Sequence, residues 1–284
     1  MDDAQFQAWI GRTETVTDVA AEGPLIRLAA LLDHEGSPWT AGELPPLAHW
    51  LYFLPRASQS QLGEDGHPTS SGLLPMVPLP RRMWAGGRLE WHGPIAIGAA
   101  LSRRSTIMNI APKSGKSGNM VFVTVQHEIF ADGVLAVTES QDIVYRGRPI
   151  PVAAAPGSAA PATAAALPTA SHTRMIHPDP VLLFRFSALT FNSHRIHYDR
   201  EYARDVESYP GLVVHGPLIA TLLMDHCLRH HPGRRPARLS FRAQSPLYDG
   251  AAFALNSAPL ETGIQLWAAR PDMPAAMQAE VAFA

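Results

Sequence analysis

Apolar positions along this chain recur at two different periods. In VVHGPLIATLLMDHCLRH, Val213 to His230, they follow helical spacing, and Leu218, Ile219, Leu222, Leu223 and Met224 cover more than one face. A helix apolar over that much of its surface is deeply buried. Pro217 stands where a first helical residue would sit, and Pro232 stops the run. Four runs of strand-like composition follow, ARLSFRAQ, AAFALNS, IQLWAAR and AMQAEVAFA, with Pro, Asp and Gly between them. Upstream, VLLFRFSALTF is rich in strand formers, and DREYARDV reads as a short helix with Asp199 as its N-cap.

The first half of the chain repeats this order more weakly. After an opening strand, RTETVTDV, the segments GPLIRLAALLD and PPLAHWLYFL predict helices, each with proline near its start. The strand candidates RRMWAGGRLEW, AIGAALSRRSTIMNI, NMVFVTVQHEIF and VLAVTESQDIVYR follow. Helix then four antiparallel strands, twice, predicts a duplicated α+β unit. A long apolar helix wrapped by a curved antiparallel sheet is the hot-dog arrangement. The expected fold is therefore a double hot dog, two antiparallel sheets each wrapping a long helix in one chain. PVAAAPGSAAPATAAALPTA lacks large side chains to bury, and its prolines favour extended backbone. It divides an N-terminal unit (1–150) from a C-terminal unit (173–284), with 151–172 as linker.

Composition narrows the function classes. Of 284 residues 46% are apolar and 17% charged, enough to bury a core. A formal charge of −2 gives no general attraction to nucleic acid or an anionic membrane. No segment supplies the roughly 20 apolar residues of a membrane helix. One cysteine, Cys227, permits no internal disulfide and fits a reducing compartment. The acidic start, MDDAQFQAWIG, lacks a basic region followed by an apolar one, so a cytoplasmic location is expected.

The densest polar chemistry lies in FNSHRIHYD, Phe191 to Asp199. One reading is a turn whose polar groups satisfy backbone. A second is a metal site built from His194, His197 and Asp199, although no second ligand cluster follows. A third is acid–base chemistry: a histidine titrates near neutrality, and a nearby amide can hold a water. Gly216, at the start of the buried helix, favours the third. A helix N-terminus presents free N–H groups and a positive dipole end to a developing oxyanion. A histidine base beside such a site is what reversible hydration of an unsaturated thioester needs.

Asn-Ser-His-Arg-Ile-His, with V-V-H-G-P at a helix start downstream, resembles the signature of the MaoC-like (R)-specific enoyl-CoA hydratases and dehydratases. In that family the motif is Asp-x-Asn-Pro-aliphatic-His. Asn192 falls on the aspartate, His194 on the asparagine, Arg195 on the proline, Ile196 on the aliphatic residue and His197 on the catalytic histidine. Gly216 matches the glycine whose N–H supports the thioester oxygen. Asparagine can orient water but cannot take its proton, so His197 would act as both base and acid. The asparagine variant, with RRMWAGGRLEW, KSGKSGNMVFVTVQHEIF and ESQDIVYRGRP, resembles the fused double hot-dog branch. That branch holds mesaconyl-C4-CoA and itaconyl-CoA hydratases and 3-hydroxyacyl-thioester dehydratases.

The resemblance implies a short branched dicarboxylyl-CoA as substrate, no metal or redox cofactor, and one active site per chain, with a further homodimer possible. A fatty-chain dehydratase, a thioesterase and a non-catalytic acyl-CoA binder are the alternatives. Arg81, Arg82 and Arg88 are candidate contacts to CoA phosphates, Trp84 a candidate wall, and His215 of the V-H-G a further substrate-side candidate. KSGKSGN is not a phosphate loop, because Ile110 stands where the pattern requires glycine. It is expected to be a basic hairpin loop.

Overall fold

A computed structural model describes residues 4–69, 72–115, 118–147 and 167–284. Helix α1 is Ala4–Gln7. The first half then runs β1 Thr13–Val19, α2 Glu22–Leu31, β2 Arg81–Trp91, β3 Ala100–Gly115, β4 Gly118–Ala131 and β5 Val134–Arg146. The second half runs β6 His172–Ile176, α3 Pro180–Leu189, α4 Gly216–His230, β7 Pro236–Ala243, β8 Phe253–Leu260, β9 Gly263–Ala269 and β10 Met277–Phe283.

The strands form one antiparallel ten-stranded sheet in the order β1-β3-β4-β5-β2-β7-β10-β9-β8-β6. Each half has the same internal order, first, third, fourth, fifth, second. The halves meet where β2 pairs with β7, Gly86 opposite Arg242 through Glu90 opposite Arg238. The double hot-dog expectation stands, with two corrections. The halves share one sheet, since each second strand leaves an edge that the other fills. Among the described residues only the second half has a long central helix.

That helix, α4, buries every residue from Leu218 to Cys227, and Leu218 and Leu223 are almost wholly inaccessible. Each large apolar side chain so buried stabilises the fold by roughly 1.5–3 kcal/mol before entropy is counted. In the first half PPLAHWLYFL forms only a 3₁₀ turn, Ala48–Leu51, entered through Leu47 at φ 69°. A left-handed non-glycine residue ends any helix begun at the prolines. The turn is held instead by the buried carboxylate of Glu139. His49 Nε2 lies 2.9 Å from it, and Trp50 Nε1 and Gln141 Nε2 donate to it at 3.0 and 2.9 Å. Burial alone would raise the Glu139 pKa, but these bonds and the charges of His49 and His127 outweigh it and bring it to about 2.

VLLFRFSALTF, rich in strand formers, is helical as α3. Asp179 Oδ1 accepts from the Leu182 N–H at 2.7 Å and Pro180 occupies the first turn. A capped start and packing against α2 override the strand propensity. DREYARDV is a π-helical turn, Tyr202–Val206, with Asp199 Oδ1 accepting from the Tyr202 N–H at 3.0 Å. Of KSGKSGN, expected as a hairpin loop, the first three residues end β3 and the last two begin β4, Gly115 opposite Gly118, and residues 116–117 lie outside the described residues. Most of the expected linker lies outside the described residues. Its last residues do not act as linker, because the Ser171 N–H bonds the Ser257 carbonyl and β6 begins at His172.

The seam between β2 and β7 is tight. A Cβ on Gly86 would stand 2.6 Å from the Phe241 carbonyl oxygen. Gly86→Ala is therefore expected to destabilise the whole chain by about 1–3 kcal/mol. A lowered urea midpoint checks this; an unchanged one contradicts it.

Candidate active site

The FNSHRIHYD loop leaves α3 through Phe191 at φ 48° and enters a 3₁₀ turn, Arg195–His197. Asn192 Oδ1 accepts from the His194 N–H at 3.0 Å, which closes the turn. The Asn192 side-chain oxygen thus has one bond inside the loop, and its amide N–H groups make none to the loop. Asp199 is turned away as well. It accepts from Arg195 at 2.7 Å and caps Tyr202, so it neither supports His197 nor joins a metal set with it.

His197 is buried at 7% exposure. It is fixed by the segment that leads into α4. The Val213 N–H donates to the Ile196 carbonyl at 2.9 Å, and His197 Nδ1 donates to the Val213 carbonyl at 2.7 Å. This bond assigns the tautomer and leaves Nε2 as the basic atom. His215 stacks on the His197 ring with centroids 3.6 Å apart, and its Nε2 pairs with Ser187 Oγ at 2.8 Å. Next comes Gly216, first residue of α4. A Cβ there would meet nothing nearer than the Trp84 carbonyl oxygen at 3.8 Å. Protein packing alone does not demand glycine there.

Burial first, then the neighbouring His67, lowers the His197 pKa to about 4. His194 is pushed to about 2 by burial and then by His67 and His197. His215 lies well below the usual imidazole value, again through burial. The rings are neutral at pH 7.

A loop from the first half completes the cluster, and sequence reasoning missed it. Asp65 takes His67 in a two-point grip, Oδ1 accepting from its N–H and Oδ2 from its Nδ1, both at 2.9 Å. The His67 ring lies 4.0 Å from that of His194. Three bonds dock this loop on the motif: Arg195 N–H to the Asp65 carbonyl at 2.9 Å, Arg195 Nη1 to the Glu64 carbonyl at 3.1 Å, and Ser193 Oγ to the Gly66 carbonyl at 2.5 Å. Gly66 has φ 86°, and a Cβ on it would overlap the Ser193 carbonyl. Among the described residues, Asp65, His67 and His194 are the group close enough to share a metal ion, their ligand atoms lying within 4.8 Å of one another. Asp-Gly-His was the available signal, but nothing local links it to a loop so distant in sequence.

The arginines divide. Arg81 is turned inward, its Nε donating to Glu207 Oε2 at 2.7 Å and Nη2 to the Glu207 carbonyl. Arg88 forms a two-point pair with Asp142. The buried Arg81 guanidinium is not left for a phosphate, whereas Arg88 stays more than half exposed beside its carboxylate partner. Arg82 has no carboxylate partner among the described residues. Its charge helps lower the pKa of His67 and of His194. Trp84 stands in an aromatic group, 5.0 Å from Trp50 and 5.7 Å from Phe241, with Nε1 donating to the Gly86 carbonyl.

Residues 47–249 match the model of the family described as hydroxyacyl-thioester dehydratase type 2. The chain belongs to that family. It is 50% identical over 285 residues to the mesaconyl-C(4)-CoA hydratase of Chloroflexus aurantiacus, covering 99% of each. Its fold is similar to HtdX of Mycobacterium tuberculosis, with TM-score 0.67 and 17% identity over 95% of this chain and 99% of that one. A second Mycobacterium tuberculosis protein, described as a double hotdog fold, matches with TM-score 0.54 and 13% identity over 96% of each chain. No helix among the described residues is long and apolar enough to cross a membrane. The matched range takes in the Asp65–His67 loop, the motif at 192–197 and the start of α4, so both halves of the site lie inside the family pattern.

Two outcomes follow from this geometry. Gly66→Ala should unseat the loop and lower turnover by about 10²-fold while the chain stays folded, read from kcat beside circular dichroism. The pH effect has a definite sign. Above pH 6.5 His197 is neutral whether folded or unfolded. From 6.5 down to about 4 the unfolded chain takes up a proton that the folded one refuses, so stability falls with falling pH. Urea midpoints measured from pH 7 to 4.5 should decline, and less steeply for His197→Gln.

Proposed function

We propose that this chain is a hydro-lyase that adds and removes water across the double bond of an α,β-unsaturated acyl-CoA thioester, with a short branched dicarboxylyl group such as mesaconyl-C4. The observation that carries the reading is one short segment serving both ends of the reaction. The Val213 carbonyl holds the His197 tautomer at 2.7 Å, and three residues later the Gly216 N–H opens α4.

In this mechanism neutral His197 takes a proton from water through Nε2 as the oxygen adds to the β-carbon. Charge then develops on the thioester oxygen, where the Gly216 N–H and the positive end of α4 stabilise it as an enolate. His197 returns the proton to the α-carbon. Asn192 orients the water through its amide N–H groups, since its carbonyl oxygen is already bonded to the loop. Burial lowers proton affinity, so the histidine stays ready to accept at neutral pH and releases the proton easily afterwards. No metal or redox cofactor enters the scheme, and His215 acts by backing the His197 ring.

The dicarboxylate reading draws on the likeness to the Chloroflexus hydratase and on Arg82. Its guanidinium, free of carboxylate partners among the described residues, is available to a second carboxylate beside the histidines. The family's description as a dehydratase of hydroxyacyl thioesters supports the reverse direction on another acyl group as a second reading.

Loss of the enoyl-thioester ultraviolet band on adding protein tests the proposal, with mesaconyl-C4-CoA, itaconyl-CoA and crotonyl-CoA compared. His197→Ala should lose about 10²–10⁴-fold in turnover and Asn192→Ala less. Full activity in a folded His197→Ala variant would exclude the mechanism. Arg82→Met should raise KM for mesaconyl-C4-CoA while leaving that for crotonyl-CoA nearly unchanged; equal changes would remove Arg82 from acyl recognition.

A further inference from the structure

The duplication allows the first half to be read against the second, position by position. In the second half Val213 bridges to Tyr248 and the Val214 N–H bonds the Leu247 carbonyl at 2.8 Å. In the first half Glu43 bridges to Ala96 and the Leu44 N–H bonds the Ile95 carbonyl, also at 2.8 Å. Pro45 and Pro46 therefore occupy the places of His215 and Gly216. The exits of the preceding helices agree too: α3 is followed by Phe191 at φ 48° and α2 by Asp33 at φ 66°. Counting on from these, His34 takes the place of Asn192 and Trp39 that of His197.

The chemistry has been removed from this second location. An indole is no base, and Pro46 has no N–H to offer an oxyanion. The space has not been filled. A cavity of about 510 Å³ remains, with Trp39, Trp91, Arg234 and Arg235 in its wall beside Glu43 and beside Asp225, which is paired with His34 and Arg229. That is within the range of small-molecule sites. A pair of arginines enters the central strand in each half, Arg81–Arg82 at β2 and Arg234–Arg235 at β7. Arg82 lies beside the histidines of the catalytic cluster, and Arg234 and Arg235 line the cavity. Arg235 reaches Glu43 at 2.9 Å. Arg234 rests 4.5 Å over the Phe283 ring, with no carboxylate partner among the described residues. The C-terminal end of α4 faces this side with its negative dipole, which Arg229 and His230 in its last turn offset.

We propose that this cavity binds a second molecule of a phosphate-bearing acyl thioester, of the same chemical class as the substrate, without turning it over. The arginine pair takes the phosphates and the tryptophan walls take the apolar arm. The choice of a CoA thioester rests on the hydro-lyase reading above, whereas the loss of base and N–H with retention of the cavity and its arginines does not.

Calorimetric titration of the full chain with free coenzyme A tests this, with Arg234→Ala, the Arg234→Ala/Arg235→Ala double variant and Arg82→Met alongside. Two equivalents should bind to the wild type. The Arg234 variants should weaken one of them by about tenfold or more, leaving turnover at low substrate unchanged, and Trp39→Phe should remove a tryptophan emission change tied to that same equivalent. One equivalent only, insensitive to Arg234 and Arg235, would overturn the inference while leaving the catalytic reading intact. No binding of coenzyme A with hydration retained in the ultraviolet assay would overturn the inference alone; absence of hydration as well would remove the catalytic reading too.

Discussion

The pairing of β2 with β7 is the constraint on which the rest depends. Each half alone presents an open strand edge, and among the described residues the first half has no long helix to cover its sheet. Joined antiparallel, the two give ten continuous strands. The Asp65–His67 loop can then lean on the motif at 192–197, and Trp84 can approach the helix start. The histidine cluster is a property of the seam, not of either half.

Within that cluster a few backbone groups carry a large share of the organisation. Val213 both donates to and accepts from the histidine loop, so the ring cannot rotate without breaking the segment that begins α4. Stacking on His215 closes the remaining freedom. Removing water from these rings keeps them uncharged and strengthens each hydrogen bond that positions them.

Much of this was legible in the residues. The period of apolar positions gave α4 and the strands of both halves, and the spacing of Asn192, His197 and Gly216 marked the loop and helix start that the fold brings together. The failures have physical causes. VLLFRFSALTF has strand composition, yet Asp179 caps it and α2 packs on it, and tertiary contact decided. PPLAHWLYFL has a helix pattern, but His49 and Trp50 are drawn to a carboxylate far along the chain. Asp65, Gly66 and His67 meet their partners only across the seam, where periodicity carries no information. Arg81 was expected at a CoA phosphate, but its buried partner Glu207 lies on the other side of the linker.

The aborted helix at Leu47 has a consequence for how such a molecule can vary. In a symmetric pair of identical subunits every substitution is made twice, and a proline in place of the glycine that opens the central helix would change both copies at once. Covalent fusion breaks that symmetry. One half can carry Pro45 and Pro46 at the places where the other carries His215 and Gly216. The polyprotein-like architecture is thus what permits the two ends of α4 to face unequal demands.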